Sequence, residues 1–210
     1  MSIYLTLTPR DPLIARDGRP FGAGQGLRMK SLDWPYPSVL AGSLRSLLGK
    51  SNGGEFSPET VKVLKDIEVA GPLPLLDDHL YFPAPKDLLV FENEMDRRET
   101  MRLRPMELKN GMGCNLPSDQ LWPVEVTRDV KPAKAPAFWS STQMTRWLLD
   151  EEIIPPESGD YGSGFLDVPA KDERMHVSID PESYAAKEGL LFMTVGLDLN
   201  FSLLRRICGY

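Results

Sequence analysis

The sequence predicts a mixed α+β fold with long irregular connections, on three observations. Apolar residues alternate with a period of two near both ends of the chain, and they recur at helical spacing between these segments. Nineteen of the 210 residues are prolines, about twice the usual ~5%, and no periodic glycine accompanies them. With 41% apolar and 26% charged residues, the chain has the composition of a globular protein with one large domain or two small ones.

The first predicted elements are a strand, a glycine-rich loop and a helix. Residues 3–8 alternate apolar and other side chains, which predicts a strand, and the Pro/Gly-rich residues 9–26 predict a long loop after it. A leucine stripe at helical spacing predicts a helix with Ser38 as its N-cap and Gly49 just past its end. Gly42 lies inside this helix, which predicts a close approach by another group at that point.

The middle of the chain predicts short elements. Ser57 and Pro58 open a second short helix, and the prolines in residues 68–90 allow only short extended pieces. Residues 91–136 show no clear period and are expected to form an irregular insertion or mobile flap. A third helix is predicted over residues 139–149, capped by Ser140 or Ser141.

The last predicted elements are two strands, at residues 175–179 and 190–201. In the second strand Val195 and Leu197 alternate with Gly196 and other small or polar residues. Such a strand buries one face and exposes the other to water.

Charge is distributed unevenly in a chain with a net charge of −6. Residues 10–50 carry seven basic and three acidic residues, a balance of +4. Residues 55–96 have a balance of −7, and residues 150–198 one of −9. This split predicts a basic surface for a polyanion and acidic surfaces turned away from it, some of them against a protein partner, although loops of mixed charge produce the same counts in many enzymes.

Several kinds of chemistry find no support in the sequence. Cys114 and Cys208 have no spacing typical of a disulfide framework or a zinc site. The glycines of residues 22–26 match neither nucleotide-binding fingerprint, and His79 and His176 occur in separate contexts without a metalloprotease motif. We therefore expect no catalytic residue, no metal and no cofactor. No signal peptide or membrane span is evident, which predicts a cytoplasmic protein without a membrane partner.

Four stretches in a fixed order carry a family resemblance. They are DPLIARDGRPF at 11–21, WPYPSVLAGSLR at 34–45, YFPAPKD at 81–87, and ERMHVSID at 173–180 followed by EGLLF at 188–192. Together they resemble the RAMP (repeat-associated mysterious protein) subunit near the foot of the type III-B CRISPR effector complex, the Cmr complex.

The resemblance implies a ferredoxin-like, RRM-related core spanning residues 1–210, with the irregular insertion at about 91–136. It implies a non-catalytic subunit of an RNA-guided antiviral complex that holds the 5′ repeat-derived tag of the CRISPR RNA. The implied partners are the CRISPR RNA, the large polymerase-like subunit and the neighbouring backbone RAMP subunit. Relatives usually continue into a second, similar half, so the chain is expected to be shortened at its C-terminus.

The residues that would contact RNA are basic and aromatic. Arginine forks bind phosphate bidentately, a glycine-rich loop allows close approach, and aromatic rings stack on bases. The alternatives are a RAMP-superfamily endoribonuclease that processes CRISPR RNA, with His176 as general acid or base near Arg174, and an interaction module that uses only its acidic surfaces. The candidate RNA-binding residues are Arg10, Arg16, Arg19, Phe21, Arg28, Lys30, Arg45, Arg174 and His176.

Overall fold

A computed structural model describes residues 3–19, 27–51, 53–108, 111–118, 121–159 and 162–199. The chain divides into two compact units, one of Met1–Pro72 with Pro169–Tyr210 and the other of Leu73–Val168. Both units combine helix and strand, in agreement with an α+β protein. In chain order the elements are β1 (Leu27–Arg28), α1 (Pro37–Ser51), α2 (Pro58–Lys65), β2 (Leu75–Leu76), β3 (His79–Pro83), β4 (Leu88–Glu92), β5 (Arg98–Arg102), β6 (Arg104–Pro105), β7 (Val124–Glu125), β8 (Phe138–Ser140), α3 (Ser141–Leu148), β9 (Phe165–Leu166), β10 (Ala170–Ile179) and β11 (Ala186–Asp198).

A three-stranded sheet organises the first unit. Its central strand, β11, pairs in parallel with β1 and antiparallel with β10. We call β10, the turn at residues 180–185 and β11 the ribbon. Its register is regular from Ala170 to Val177 and shifts between Val177 and Ile179. The predicted pair of strands is confirmed, and both strands begin earlier than the sequence indicated.

One face of the ribbon contributes to the core of the first unit. Val195 and Leu197 are buried, as their alternation predicted, and so are Ala15 and Met29 from the preceding segments. The backbone amide of Met29 donates to the carbonyl oxygen of Met193 at 2.9 Å. On β10 the same face is exposed along the whole strand, because β10 is the edge strand of the sheet.

The predicted first strand, residues 3–8, is wrong. These residues form no strand, and their apolar side chains are exposed. The backbone of Leu13 instead exchanges two hydrogen bonds with that of Leu197, at 2.9 and 2.8 Å. Alternation marks residues that could bury one face, but a strand also needs a neighbouring backbone to satisfy its amides and carbonyls.

Helix α1 is longer than predicted at both ends. It begins at Pro37, where the missing amide proton costs nothing in the first turn, so Ser38 is not its cap. Gly49 lies inside the helix and is buried: a Cβ atom there would lie 2.5 Å from the Phe56 ring. The predicted close approach at Gly42 is wrong, since no described group outside the neighbouring turns of the helix lies within 4 Å of a Cβ at that position.

Helix α2 is confirmed. The Ser57 hydroxyl accepts a hydrogen bond from the backbone amide of Thr60 at 3.2 Å, which is the geometry of an N-cap. Leu64 is the buried residue of this helix. Its local signals, a serine cap followed by proline, are sufficient to fix where the helix begins.

The core of the second unit forms around a four-stranded sheet of order β2-β3-β8-β9 and helix α3. The Trp139 ring meets the rings of Trp147 and Phe165 edge-on, with centroids 5.9 and 5.3 Å apart. Trp139 lies in strand β8, not in the predicted helix. The cap is Ser140, whose hydroxyl accepts from the amide of Gln143 at 3.4 Å.

Residues 91–136, which were expected to be irregular, contain strands. Strand β5 pairs antiparallel with β4, from Leu88 opposite Arg102 to Glu92 opposite Arg98. Strands β6 and β7 form a second, shorter pair. The sequence of β5, RETMR, has neither apolar alternation nor β-branched enrichment, so its pairing comes from the partner strand.

Candidate nucleic-acid interface

The face of the ribbon opposite Val195 and Leu197 brings polar and aromatic side chains together. Residues directly opposite each other in an antiparallel pair point to the same face of the sheet. We call the face that carries the even-numbered residues the polar face. Its cross-strand pairs are Asp172 with Gly196, Arg174 with Thr194, and His176 with Phe192.

His176 is held in place by two neighbours on the polar face. Its Nε2 atom lies 2.8 Å from the Thr194 hydroxyl oxygen, within hydrogen-bond distance. Its ring stacks on the Phe192 ring, with centroids 5.2 Å apart and planes inclined by 17°. Both side chains are half-buried, so the stacked pair has a fixed orientation and keeps contact with solvent.

Arg174 is paired along its own strand. Its Nε and Nη2 atoms donate to one carboxylate oxygen of Asp172, at 2.9 and 2.7 Å. These hydrogen bonds and the Asp172 charge raise the pKa of Arg174, with a further contribution from the charge of Asp11. The guanidinium therefore stays charged, but a neighbouring carboxylate already compensates that charge.

The segment around Pro12 lies directly over one end of the polar face, so the prediction that Gly196 faces water is wrong and this residue is buried. A Cβ atom on Gly196 would lie 2.7 Å from the Cβ of Pro12, so this approach requires a residue without a side chain. Together with the bridge between Leu13 and Leu197, the contact places residues 11–14 beside the ribbon.

Two adjoining clefts separate this segment from the ribbon. One has a volume of about 210 Å³ and borders His176 and Thr194. The other, of about 180 Å³, borders Arg10 and Asp198. Asp11, Pro12, Asp172 and Arg174 line both. In the part of the chain that the structure describes, no three His, Cys, Asp or Glu side chains are grouped so that they could hold a metal ion.

Arg28 lies on the opposite face of the sheet from Arg174 and His176. It forms an ion pair with Glu173, and Lys171 on the same face pairs with Asp33 at 2.7 Å. The predicted spatial separation of the basic residues 10–50 from the acidic residues 150–198 is therefore wrong here. Strand pairing brings the two segments together, and their charges neutralise each other.

The other basic candidates are divided between exposed and structural positions. Arg16 donates through Nη2 to the backbone oxygen of Arg19 at 3.1 Å, and Arg19 pairs with Asp17 at 3.2 Å. Arg45 is half-buried and donates to the backbone oxygen of Ile67 at 2.7 Å, so it attaches α1 to the chain after α2.

Two basic candidates are exposed and unpaired, and one aromatic candidate cannot be placed. Among the described residues, no ion-pair partner contacts Arg10 or Lys30. Phe21 lies outside the described residues.

Reasoning from the sequence missed Asp11, Phe192 and Thr194. The alternation that placed Gly196 on the water-facing side of β11 extends by parity to Thr194 and Phe192 and could have identified them. Their position opposite Arg174 and His176 depends on the pairing register, which is not evident in the sequence.

A sheet that presents rings beside hydroxyl and guanidinium groups is an arrangement typical of domains that recognise single-stranded RNA. The family model for CRISPR-associated protein (Cas_Cmr3) matches residues 5–207. The chain therefore belongs to this CRISPR-associated family, whose members are subunits of Cmr complexes. A comparison with curated proteins found no match. The expected C-terminal shortening gains no support from the family match.

Among the described residues, no helix combines the length and the apolar character needed to cross a bilayer.

Proposed function

We propose that this chain is a non-catalytic, CRISPR RNA-binding scaffold subunit of a type III-B antiviral effector complex. In this role it holds the 5′ repeat-derived tag and links the large polymerase-like subunit to the neighbouring RAMP subunit in the cytoplasm. The observation that carries the proposal is the family match over residues 5–207.

The strand order of the first unit agrees only in part with a ferredoxin-like RAMP core. In that fold a strand and a helix precede a hairpin, and the second strand of the hairpin lies between the other two strands and is antiparallel to both. Strand β1, helix α1 and the ribbon share this order of elements and the sheet order β1-β11-β10. Strand β1 pairs in parallel with β11, however, so its direction departs from the scheme, and the ferredoxin-like core rests on the family resemblance.

The surface of the first unit supports RNA binding. Single-stranded RNA is bound through stacked bases and through phosphates neutralised by basic groups. The stacked pair of His176 and Phe192 could serve the bases, and the exposed side chains of Arg10 and Lys30 could serve the phosphates. Arg45 is an anchor within the fold and takes no part in this proposal.

The surroundings of His176 favour a non-catalytic role over the endoribonuclease alternative. The Nε2 atom that a general acid or base would use is already within hydrogen-bond distance of the Thr194 hydroxyl. The neighbouring Arg174, which would stabilise a phosphate in a cleavage reaction, is occupied by Asp172.

The RNA-binding part is tested by salt-dependent titration of RNA carrying the 5′ tag against the full chain. Arg10→Glu and Lys30→Glu should each weaken binding. Each should also reduce the slope of log affinity against log salt by about 0.7, the value for one lost phosphate contact on a single strand. The matched control is Lys62→Glu on α2, which should leave the slope unchanged. Equal slopes for all variants would contradict the proposed RNA surface.

The non-catalytic part is tested by His176→Ala in the assembled complex. The length of the CRISPR RNA should be unchanged, since no chemical step is assigned to this imidazole. Unprocessed RNA, with a normal circular dichroism spectrum of the variant, would favour the endoribonuclease instead.

A further inference from the structure

We propose that the larger of the two clefts, bordered by Asp11, His176 and Thr194, binds one guanine base of single-stranded RNA. The base extends the stack formed by His176 and Phe192 and donates its N–H groups to the Asp11 carboxylate. This inference rests on the proposed RNA-binding function, and it assigns to one site a base preference that RNA binding alone does not require.

The size of the cleft limits what it can hold. Sites for drug-sized ligands are about 300–1,000 Å³, whereas this cleft has a volume of about 210 Å³. A single planar group suits this space. Pro12 and Ile14 provide apolar surface on the wall opposite the ribbon. An apolar wall facing an aromatic ring is suited to the two flat faces of a base.

The stacking surface is already assembled. The Thr194 hydroxyl lies 2.8 Å from Nε2 of His176 and fixes the imidazole, and the Phe192 ring stacks on one face of that imidazole. Aromatic rings that are ordered in advance lose little freedom when a base stacks on them. Stacking tolerates every base, so this part of the site gives affinity and no preference.

The charge of the larger cleft favours the edge of a base over a phosphate. Two carboxylates, those of Asp11 and Asp172, face one guanidinium group, that of Arg174. Such an excess of negative charge repels phosphate, whereas a carboxylate accepts hydrogen bonds from the N–H groups on a base edge.

Among the carboxylates that line the larger cleft, Asp11 is the one whose two oxygens both lack a hydrogen-bond donor among the described residues, although its charge interacts with that of Arg174. One oxygen of Asp172 already accepts two hydrogen bonds from Arg174. No described residue donates a hydrogen bond to the Asp11 carboxylate. Guanine carries neighbouring N1–H and N2–H donors that match both oxygens of one carboxylate, while uracil has a single N–H donor on that edge.

The test compares two labelled octaribonucleotides by fluorescence anisotropy with the full chain. One is all uracil, and the other carries a single central guanine. A bidentate contact predicts about 5- to 150-fold tighter binding of the guanine octamer. Asp11→Asn should remove this preference. The control Glu182→Gln, which removes one negative charge from the turn of the ribbon, should keep it.

Variants of the aromatic ring test the stacking step. Phe192→Leu should weaken the binding of both octamers by similar factors, while Phe192→Tyr, which keeps the ring, should bind as the original protein does. Thermal unfolding of each variant shows whether a loss of binding reflects a loss of folding. Binding of both octamers unchanged in a folded Phe192→Leu variant would overturn the stacking step.

Two further measurements complete the test. The first asks whether the ligand is RNA or a free nucleotide, and the second distinguishes a failure of the base site from a failure of the proposed function. Free guanosine 5′-monophosphate should compete poorly with the guanine octamer, and competition at equal concentrations would overturn an RNA ligand. If RNA with the repeat-derived tag binds but guanine gives no advantage, the base site is wrong while the proposed function stands. If neither RNA binds, both are wrong.

Discussion

Arginines serve different purposes in the β4–β5 hairpin of the second unit and in the ribbon of the first. In the hairpin, Arg98 donates to the backbone oxygens of Lys134, Pro155 and Pro156 at 2.6 to 3.1 Å. In the ribbon, the guanidinium of Arg174 pairs with one carboxylate and is 54% exposed. The same residue type thus holds loops together in one region and faces a cleft in the other.

Arg102 shows the structural use most clearly. Its guanidinium lies 3.8 Å from the centroid of the buried Trp147 ring, its Nη1 pairs with Asp150 at 2.8 Å, and its Nη2 donates to the backbone oxygen of Trp147. Only 22% of its side chain is exposed. The cation therefore belongs to the core of its unit and is not available to a ligand.

The comparison teaches that a basic stretch of sequence does not by itself identify a binding surface. Residues 97–146 carry nine basic and five acidic residues, a balance of +4 that equals that of residues 10–50. Many of these cations bind carbonyl oxygens, carboxylates or rings of their own unit. Exposure and partners, which require the structure, decide which cations can meet a phosphate.

The largest loss of stability is expected for Arg102→Leu. The variant loses a cation–π contact, an ion pair and a donor to a backbone carbonyl, which together should lower the free energy of unfolding by about 2–3 kcal/mol. Urea unfolding followed by tryptophan fluorescence measures the change. The control is Arg97→Leu, an exposed residue of the same hairpin, with an expected change within about 0.5 kcal/mol. Equal effects would show that Arg102 is not a structural residue.

An intermediate effect is expected for Gly196→Ala in the ribbon. The added Cβ would lie 2.7 Å from Pro12, so the segment must shift, at a cost of about 1–3 kcal/mol. Thermal unfolding measures the loss. At Gly18, in the same unit, no atom of the described residues lies within 4 Å of a Cβ, so Gly18→Ala should cause no loss. A neutral Gly196→Ala would mean that residues 11–14 do not pack against the ribbon.

The smallest effect on stability is expected for Arg174→Leu. Its ion pair with Asp172 is more than half exposed on the arginine side, and such exposed pairs contribute little to stability because water screens them. Chemical unfolding of this variant beside Arg102→Leu gives the contrast directly. A loss as large as that of Arg102→Leu would remove the distinction between the two regions.

Local signals made part of the fold predictable. The start of α2 follows from Ser57 and Pro58, and the burial of Val195 and Leu197 follows from period two, because each depends on residues close in sequence. The prediction of a strand at residues 3–8 was wrong because strand pairing depends on a partner that is distant in sequence.

The candidate site shows the same limit. The family resemblance identified Arg174 and His176, but Phe192 and Thr194 became evident only from the register of the ribbon. Likewise, the sequence indicated a close approach at Gly42, whereas the structure has one at Gly49, against the Phe56 ring. Helical spacing does not show which residue from another part of the chain packs against a helix.

The division of the ribbon into two faces has a consequence for changes in its length. A residue inserted within β10 between Ala170 and Arg174 would move each later side chain of that strand to the opposite face. Arg174 and His176 would then lie on the face opposite residues 11–14, and Met175 would lie on the polar face. An insertion in the turn at residues 180–185 leaves the pairing of the strands intact. Insertion scanning along this hairpin should therefore find destructive positions within the strands and tolerated positions in the turn, a division that substitutions alone would not reveal.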